Sequence, residues 1–151
     1  MIVLRALGYL WALPHSLVGI LFLLYYRPES VKWRDGCLEG VGVDNLLGGP
    51  WVGAQTYGWV VYYRDDMQFR RGDLRVHERV HVTQSLIGGV FFPLAYGLHF
   101  LWLWGFGLRQ SWRDAYYKIY FESVAYAKDA NYDAARLRGE DVSGYWGHKD
   151  D

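Results

Sequence analysis

At 151 residues the chain has room for one domain with a real core and is too short for two ordinary ones. Apolar residues make up 52% and aromatic residues 19%, while 16 basic and 16 acidic side chains cancel to zero net charge. That balance leaves no electrostatic footprint for nucleic acid, and the lone cysteine, Cys37, excludes an internal disulfide and a thiolate metal cluster.

Met1 to Tyr26 is apolar except for Arg5, His15 and Ser16, and predicts a helix over 3–26, bent or restarted near Pro14 and ending before Pro28. It lacks a small-x-small cleavage site and reads poorly as a signal peptide. From Pro28 to Arg71 glycines recur among β-branched and aromatic residues. Cys37–Val43 and Trp51–Tyr63 are predicted strands, joined by the turn-rich segment 44–50. Arg64 to Arg71 reads as a solvated loop. Asp73 is the expected N-cap of a helix from Leu74 to Ile87, which Gly88-Gly89 breaks. A second apolar helix is expected over Phe92–Trp104, and a long one over Ser111–Leu137. The tail 139–151 reads as loosely ordered. Arg79 is expected at the surface.

Leu86 to Leu108 has His99 as its only ionisable group and could span a bilayer by length alone. Prolines 14 and 93 and several glycines interrupt both apolar stretches, which favours buried or surface-docked helices over true spans. Membrane association stays open. The single cysteine fits a cytoplasmic or membrane-associated protein better than a disulfide-bonded secreted one.

The chemistry concentrates at His77-Glu78-Arg79-Val80-His81. On a helix, residues four apart share a face, so the imidazoles of His77 and His81 converge. Two neutral imidazoles and one further ligand hold a zinc ion with a position left for water. Glu78 is placed to act as general base on water acidified by the metal. Chance alone would yield this pattern about once in 200 such chains, so its context matters. That context is an upstream strand, a capped helix and a downstream helix carrying a carboxylate.

Downstream, His99, Asp114, Glu122, Asp129, Asp133, Glu140 and His148 are candidate third ligands. Glu122 is preferred, because it lies mid-helix in an apolar run where an unpartnered carboxylate would be costly to bury. An ion pair with Lys118, four residues earlier, is its alternative. Gln84, three residues after His81, reads either as a group that reaches the metal face or substrate or, equally, as a helix-surface amide. His15 reads as a satisfied core or interface histidine, and His148 as solvated.

The string His77-Glu78-x-x-His81, followed about 40 residues later by the helical Glu122, resembles the gluzincin zinc peptidases, of which thermolysin is the familiar member. Arg75 to Gln84 together with Phe121-Glu122-x-x-Ala125-Tyr126 is also similar to small bacterial metallopeptidases. The resemblance covers about residues 50–130. It implies one zinc ion held by His77, His81 and Glu122, with Glu78 as general base. It implies, too, an edge strand along the cleft, here Thr56, Tyr57, Gly58 and Trp59 onward to Tyr63, that would hold an extended peptide.

Two parts of the family pattern are missing. The aspartate often found four residues after the third ligand is replaced by Tyr126, so the partner that steadies a zinc histidine is unassigned. No downstream histidine stands out to stabilise an oxyanion, and His99, Tyr116, Tyr117 and Tyr126 are the candidates. The expected architecture is a single α+β domain over 1–151. In it a small antiparallel sheet packs on the HExxH helix and a long C-terminal helix, with additional apolar helices, as in a minimal zincin. The expected activity is hydrolysis of a peptide or protein substrate. The rival is a small membrane-associated protein with a structural metal site. Cleavage preference and oligomeric state are not legible.

Overall fold

The computed structural model describes residues 2–44, 46–47, 49–106 and 111–145. The N-terminal apolar run forms α1 (Ile2–Trp11) and α2 (Leu13–Tyr26), bent by 66°. Pro14 lies in the first turn of α2 and has no N–H to continue the ladder from α1, which explains the restart.

A strand that the sequence reading did not include follows. β1 (Ser30–Arg34) and β2 (Cys37–Val41) form a hairpin around Asp35-Gly36, with φ of 49° and 80° at the two turn residues. Asp-Gly suits that two-residue turn because both positions need positive φ. The run expected as one strand over Trp51–Tyr63 is a second hairpin, β3 (Ala54–Tyr57) and β4 (Val60–Tyr63). Gly58, at φ 65°, takes the first turn position. All four side chains of β4 are fully buried, and a strand buried on both faces needs a neighbour on each edge.

The sheet order is β1-β2-β4-β3, with β2 and β4 parallel and the other pairs antiparallel. The expectation of an antiparallel sheet is therefore corrected to a mixed one. The long connection after β2 places β3 outermost, so β4 returns beside β2 in the same direction. Alternation along β4 then builds two cores. Val60 and Tyr62 pack with Ile20, Phe22 and Leu23 of α2, whereas Val61 and Tyr63 pack with Val82 and Leu86 on the opposite face.

That opposite face is covered by α4 (Gly72–Gly88), the helix that carries the HExxH string. Arg64–Arg71, expected as loop, includes the single-turn α3 (Asp66–Phe69), whose cap Asp65 accepts from the Gln68 amide at 2.7 Å. Asp73 is not the N-cap of α4. Arg71 holds that position, and Asp73 in the first turn pairs with the Arg71 guanidinium. α5 (Phe91–Gly105) matches its expectation within a residue.

The long C-terminal helix is two, α6 (Trp112–Tyr117) and α7 (Tyr120–Leu137), broken at Lys118-Ile119. Ile119 leaves helical geometry with ψ 130° and buries its side chain completely. α7 then packs along the side of α4 away from the sheet. Within the tail Tyr145 ends a 3₁₀ turn and meets Tyr132 edge-on, with the Lys128 ammonium 4.7 Å from its ring centre. His148 lies outside the described residues.

Arg79 is also corrected. Its side chain is 12% exposed and bonds the Asp35 carbonyl (2.8 Å) and the carboxylates of Glu39 (2.8 Å) and Asp35 (3.2 Å). α4 is enclosed by the sheet and α7, so the side facing away from the histidines meets the β1–β2 hairpin instead of water.

The whole is α+β, with seven α-helices and a mixed four-stranded sheet among the described residues. Among the described residues no single helix is long and apolar enough to cross a membrane. Two bent pairs, α1 with α2 and α4 with α5, pass that test together.

Gly58 is the tightest joint between α2 and the sheet, because an added Cβ would strike the Ser16 hydroxyl at a positive φ. Gly58→Ala is expected to cost at least about 2 kcal/mol of stability in urea unfolding, since it combines strain with a clash. An unchanged midpoint would show that the hairpin does not bear on α2.

Candidate metal centre

One turn of α4 brings His77 and His81 to the same face, as the spacing predicts, and both are buried. Their Nε2 atoms lie 3.2 Å apart. Glu122 reaches both imidazoles from α7 with its two oxygens, Oε2 at 3.2 Å from His77 Nε2 and Oε1 at 3.2 Å from His81 Nε2. Zinc bonds of about 2.0–2.1 Å in a tetrahedron require ligand atoms about 3.3 Å apart. The two Nε2 atoms already stand at about that spacing, each Glu122 oxygen stands at it from one imidazole, and one donor atom from each of the three residues lies within 4.8 Å of the others. Nitrogen, nitrogen and carboxylate oxygen also form a donor set that zinc accepts readily.

Glu122 is not mid-helix. The break at Ile119 puts it in the first turn of α7, where the helix N-terminus favours a carboxylate. Its oxygens face the two imidazoles and the Tyr96 hydroxyl, which donates to Oε1 at 2.6 Å, rather than Lys118.

The partners that orient the histidines were not assigned from sequence. Asp129 accepts from His77 Nδ1 at 3.0 Å, seven residues after Glu122 instead of four. Two helical turns separate positions i and i+7 on the same face, so the carboxylate reaches His77 from one turn further along α7. Among the third-ligand candidates Asp129 thus takes a supporting place. Gln84 Oε1 receives His81 Nδ1–H at 2.9 Å, while its amide nitrogen donates to the Phe121 carbonyl at 3.1 Å. That pair of bonds fixes which way the amide points. With both Nδ1 atoms committed, both Nε2 lone pairs are free to face a metal.

The remaining third-ligand candidates are engaged elsewhere or lie away. Asp114 bonds Ser111 at the start of α6, and Glu140 pairs with Arg138 at the surface. His99 Nδ1 accepts from the Tyr120 amide. Asp133 is not part of the cluster.

Glu78 is 5% exposed, and Thr56 on β3 donates to its Oε2 at 2.7 Å. A cleft of about 390 Å³ opens beside it, bounded by Thr56 and Tyr57 of β3, by Glu78, His81 and Glu122, and by aromatic side chains of α5 and α6. β3 is an edge strand, so one row of its backbone groups is unpaired within the sheet. Gly58 and Trp59, grouped with that strand from sequence, form the hairpin turn and bond His15 Nδ1 and Ser16 Oγ of α2. His15 also lines the cleft, and burial lowers its pKa.

Of the four oxyanion candidates, Tyr116 alone lines the cleft. Tyr126 packs at a tilt on His77 with ring centres 4.5 Å apart, and Tyr117 packs likewise on Tyr126. Tyr96, which sequence reasoning did not single out, lines the cleft as well. Its only sequence signal was a polar group in the middle of an apolar helix.

In the metal-free chain burial opposes protonation of His77, but Asp129 and Glu122 outweigh it and raise the imidazole to about 10. His81 moves the same way through Glu122. Burial also opposes the charged form of Glu122, and its bonds to both histidines outweigh that and hold the carboxylate well below its usual range.

Two outcomes are expected. Asp129→Ala should weaken zinc binding by about 10–100-fold while leaving the fold intact, measured by competition with a chelating dye. Because His77 carries a proton below about 10, metal binding at pH 7 should release protons. Affinity should then rise with pH by about tenfold per unit for each proton displaced. Calorimetry in buffers of different ionisation enthalpy reads this directly, and equal heats in all of them would contradict it. No family model, curated protein or solved structure matches this chain, so the site is read from its own geometry.

Proposed function

We propose that this chain is a zinc-dependent metallopeptidase, with His77, His81 and Glu122 as ligands and Glu78 as general base. The observation that carries it is that one donor atom each from His77, His81 and Glu122 gather within 4.8 Å of one another, with the buried Glu78 carboxylate on the same helical turn as the histidines. A structural site is usually closed by four protein ligands, whereas three ligands beside a cleft leave a position for reaction. When bound, zinc supplies a Lewis acid that polarises a carbonyl and acidifies water.

The chain's own groups account for the rest. Glu78 takes a proton from the attacking water, whose oxygen adds to the scissile carbonyl carbon. The same carboxylate passes the proton to the departing amine as the carbon–nitrogen bond breaks. Thr56 holds Glu78 through Oε2, leaving Oε1 for the transfer. The unpaired edge of β3 supports an extended peptide by strand addition. The Tyr116 hydroxyl supports the developing oxyanion from the cleft wall. The apolar wall that includes Phe92, Phe100 and Trp112 suits a bulky apolar side chain.

About one zinc per chain is expected in the purified protein, lost in His77→Ala and in Glu122→Ala. Glu78→Gln should retain the metal and lose at least about 10³-fold in turnover of a quenched fluorescent peptide library. Cleavage by Glu78→Gln at the parent rate would refute the assignment, as would a parent that binds no zinc.

A further inference from the structure

The polarity of α2 is inverted with respect to an ordinary amphipathic helix. Its fully buried residues are Ser16 and Gly19, with Ile20, Phe22 and Leu23 half-buried against the sheet, whereas Leu17, Leu21 and Leu24 are 48%, 64% and 76% exposed. The same holds across the bend. Gly8 packs against the Leu86 backbone and Ala12 is fully buried, while Leu7 and Leu10 are exposed. Small residues facing inward let the helices approach the protein closely. Tyr62 donates to the Gly19 carbonyl at 2.6 Å, and Ser16 Oγ accepts from the Trp59 amide at 3.1 Å. On α5 the one buried side chain is Phe92, and Leu94, Leu98 and Leu101 are each more than half exposed.

In water the hydrophobic effect places large apolar groups inside and small or polar ones outside. Small groups inside and large apolar groups outside is the arrangement of helices packed in lipid. Neither α2 nor α5 contains Asp, Glu, Lys or Arg. Two thirds of the large apolar side chains left exposed lie on α1, on α2 and between Ile87 and Phe106. The two surfaces meet where Trp11 packs on Phe91, ring centres 5.7 Å apart. A protein partner would be expected to meet a polar rim around an apolar centre. Here the apolar surface instead runs along whole helices, ending in Trp102 and Trp104 on α5 and in Tyr25 on α2, followed by Arg27.

We propose that α1, α2 and α5 embed this surface in one leaflet of a lipid bilayer, so that the metal cleft opens at the membrane interface. α2 and α5 have 14 and 15 residues. At 1.5 Å per residue each is about 22 Å long, short of the roughly 30 Å hydrocarbon core. The 66° bend between α1 and α2, and the 114° turn by which α5 leaves α4, suit a shallow wedge. The docking helices also wall the cleft, through His15 on α2 and Phe92, Pro93, Tyr96 and Phe100 on α5. On the peptidase reading, the substrate is then a peptide segment lying at a bilayer surface. The docking itself does not depend on that reading.

The full chain, purified in mild detergent, is diluted with or without phosphatidylcholine vesicles and floated through a density gradient. The parent should rise with the vesicles and only in their presence. Leu21→Glu combined with Leu98→Glu should lower the partition coefficient by about 100-fold, with circular dichroism unchanged because both positions are exposed. Chelator-treated parent should float as well as untreated, which separates failure of docking from failure of the metal assignment. A parent that stays in the dense fractions overturns the proposal, whether as a monomer or as a dimer of two such faces. So does a double variant that floats like the parent.

Discussion

Four ionisable side chains, His77, Glu78, His81 and Glu122, are buried together between α4, α7 and the edge of the sheet. Buried polar groups must be partnered, because an unsatisfied one costs more than the bond would have contributed. Each of the four accordingly has a partner, drawn from α7, β3, α5 and α4 itself. Glu122 answers both imidazoles from α7, Asp129 and Gln84 take their outer nitrogens, Thr56 takes Glu78, and Tyr96 takes the second face of Glu122. Removing any one partner would leave another charge uncompensated, so the packing of α4 against α7, β3 and α5 is coupled to the state of this cluster.

The break between α6 and α7 follows from the same constraint. A continuous helix over Ser111–Leu137 would carry Glu122 at mid-helix, without the favourable field of a helix start. Turning at Ile119 buries an apolar side chain and puts the carboxylate in the first turn. It also lets Asp129 fall on the histidine side two turns further on. The hairpin at Gly58 has a comparable effect, because folding β3 back outside β4 turns Thr56 towards Glu78 and leaves an open strand edge along the cleft.

Two surfaces therefore divide the molecule. Towards α7 lies the buried polar cluster, which could hold a metal ion. Towards α1, α2 and α5 the exposed side chains are largely apolar, and the fully buried residues of α2 are small. The cleft lies between them, with walls contributed by both.

The periodicity of four between His77 and His81, and the oddity of a carboxylate in the run Tyr120–Tyr126, were sufficient to identify the cluster from the chain alone. Both are local signals, since helical spacing decides which residues share a face and an isolated charge in an apolar run demands a partner. The α+β class and the restart at Pro14 were legible for the same reason. Asp129, Gln84 as a histidine partner, Tyr96 and the enclosure of Arg79 were settled only by tertiary structure. Each depends on what lies across from it, and no spacing within one element states that. The parallel pairing of β2 with β4 belongs to this second kind. Strand propensity marks segments but not their neighbours, and direction follows from the path of the connecting chain.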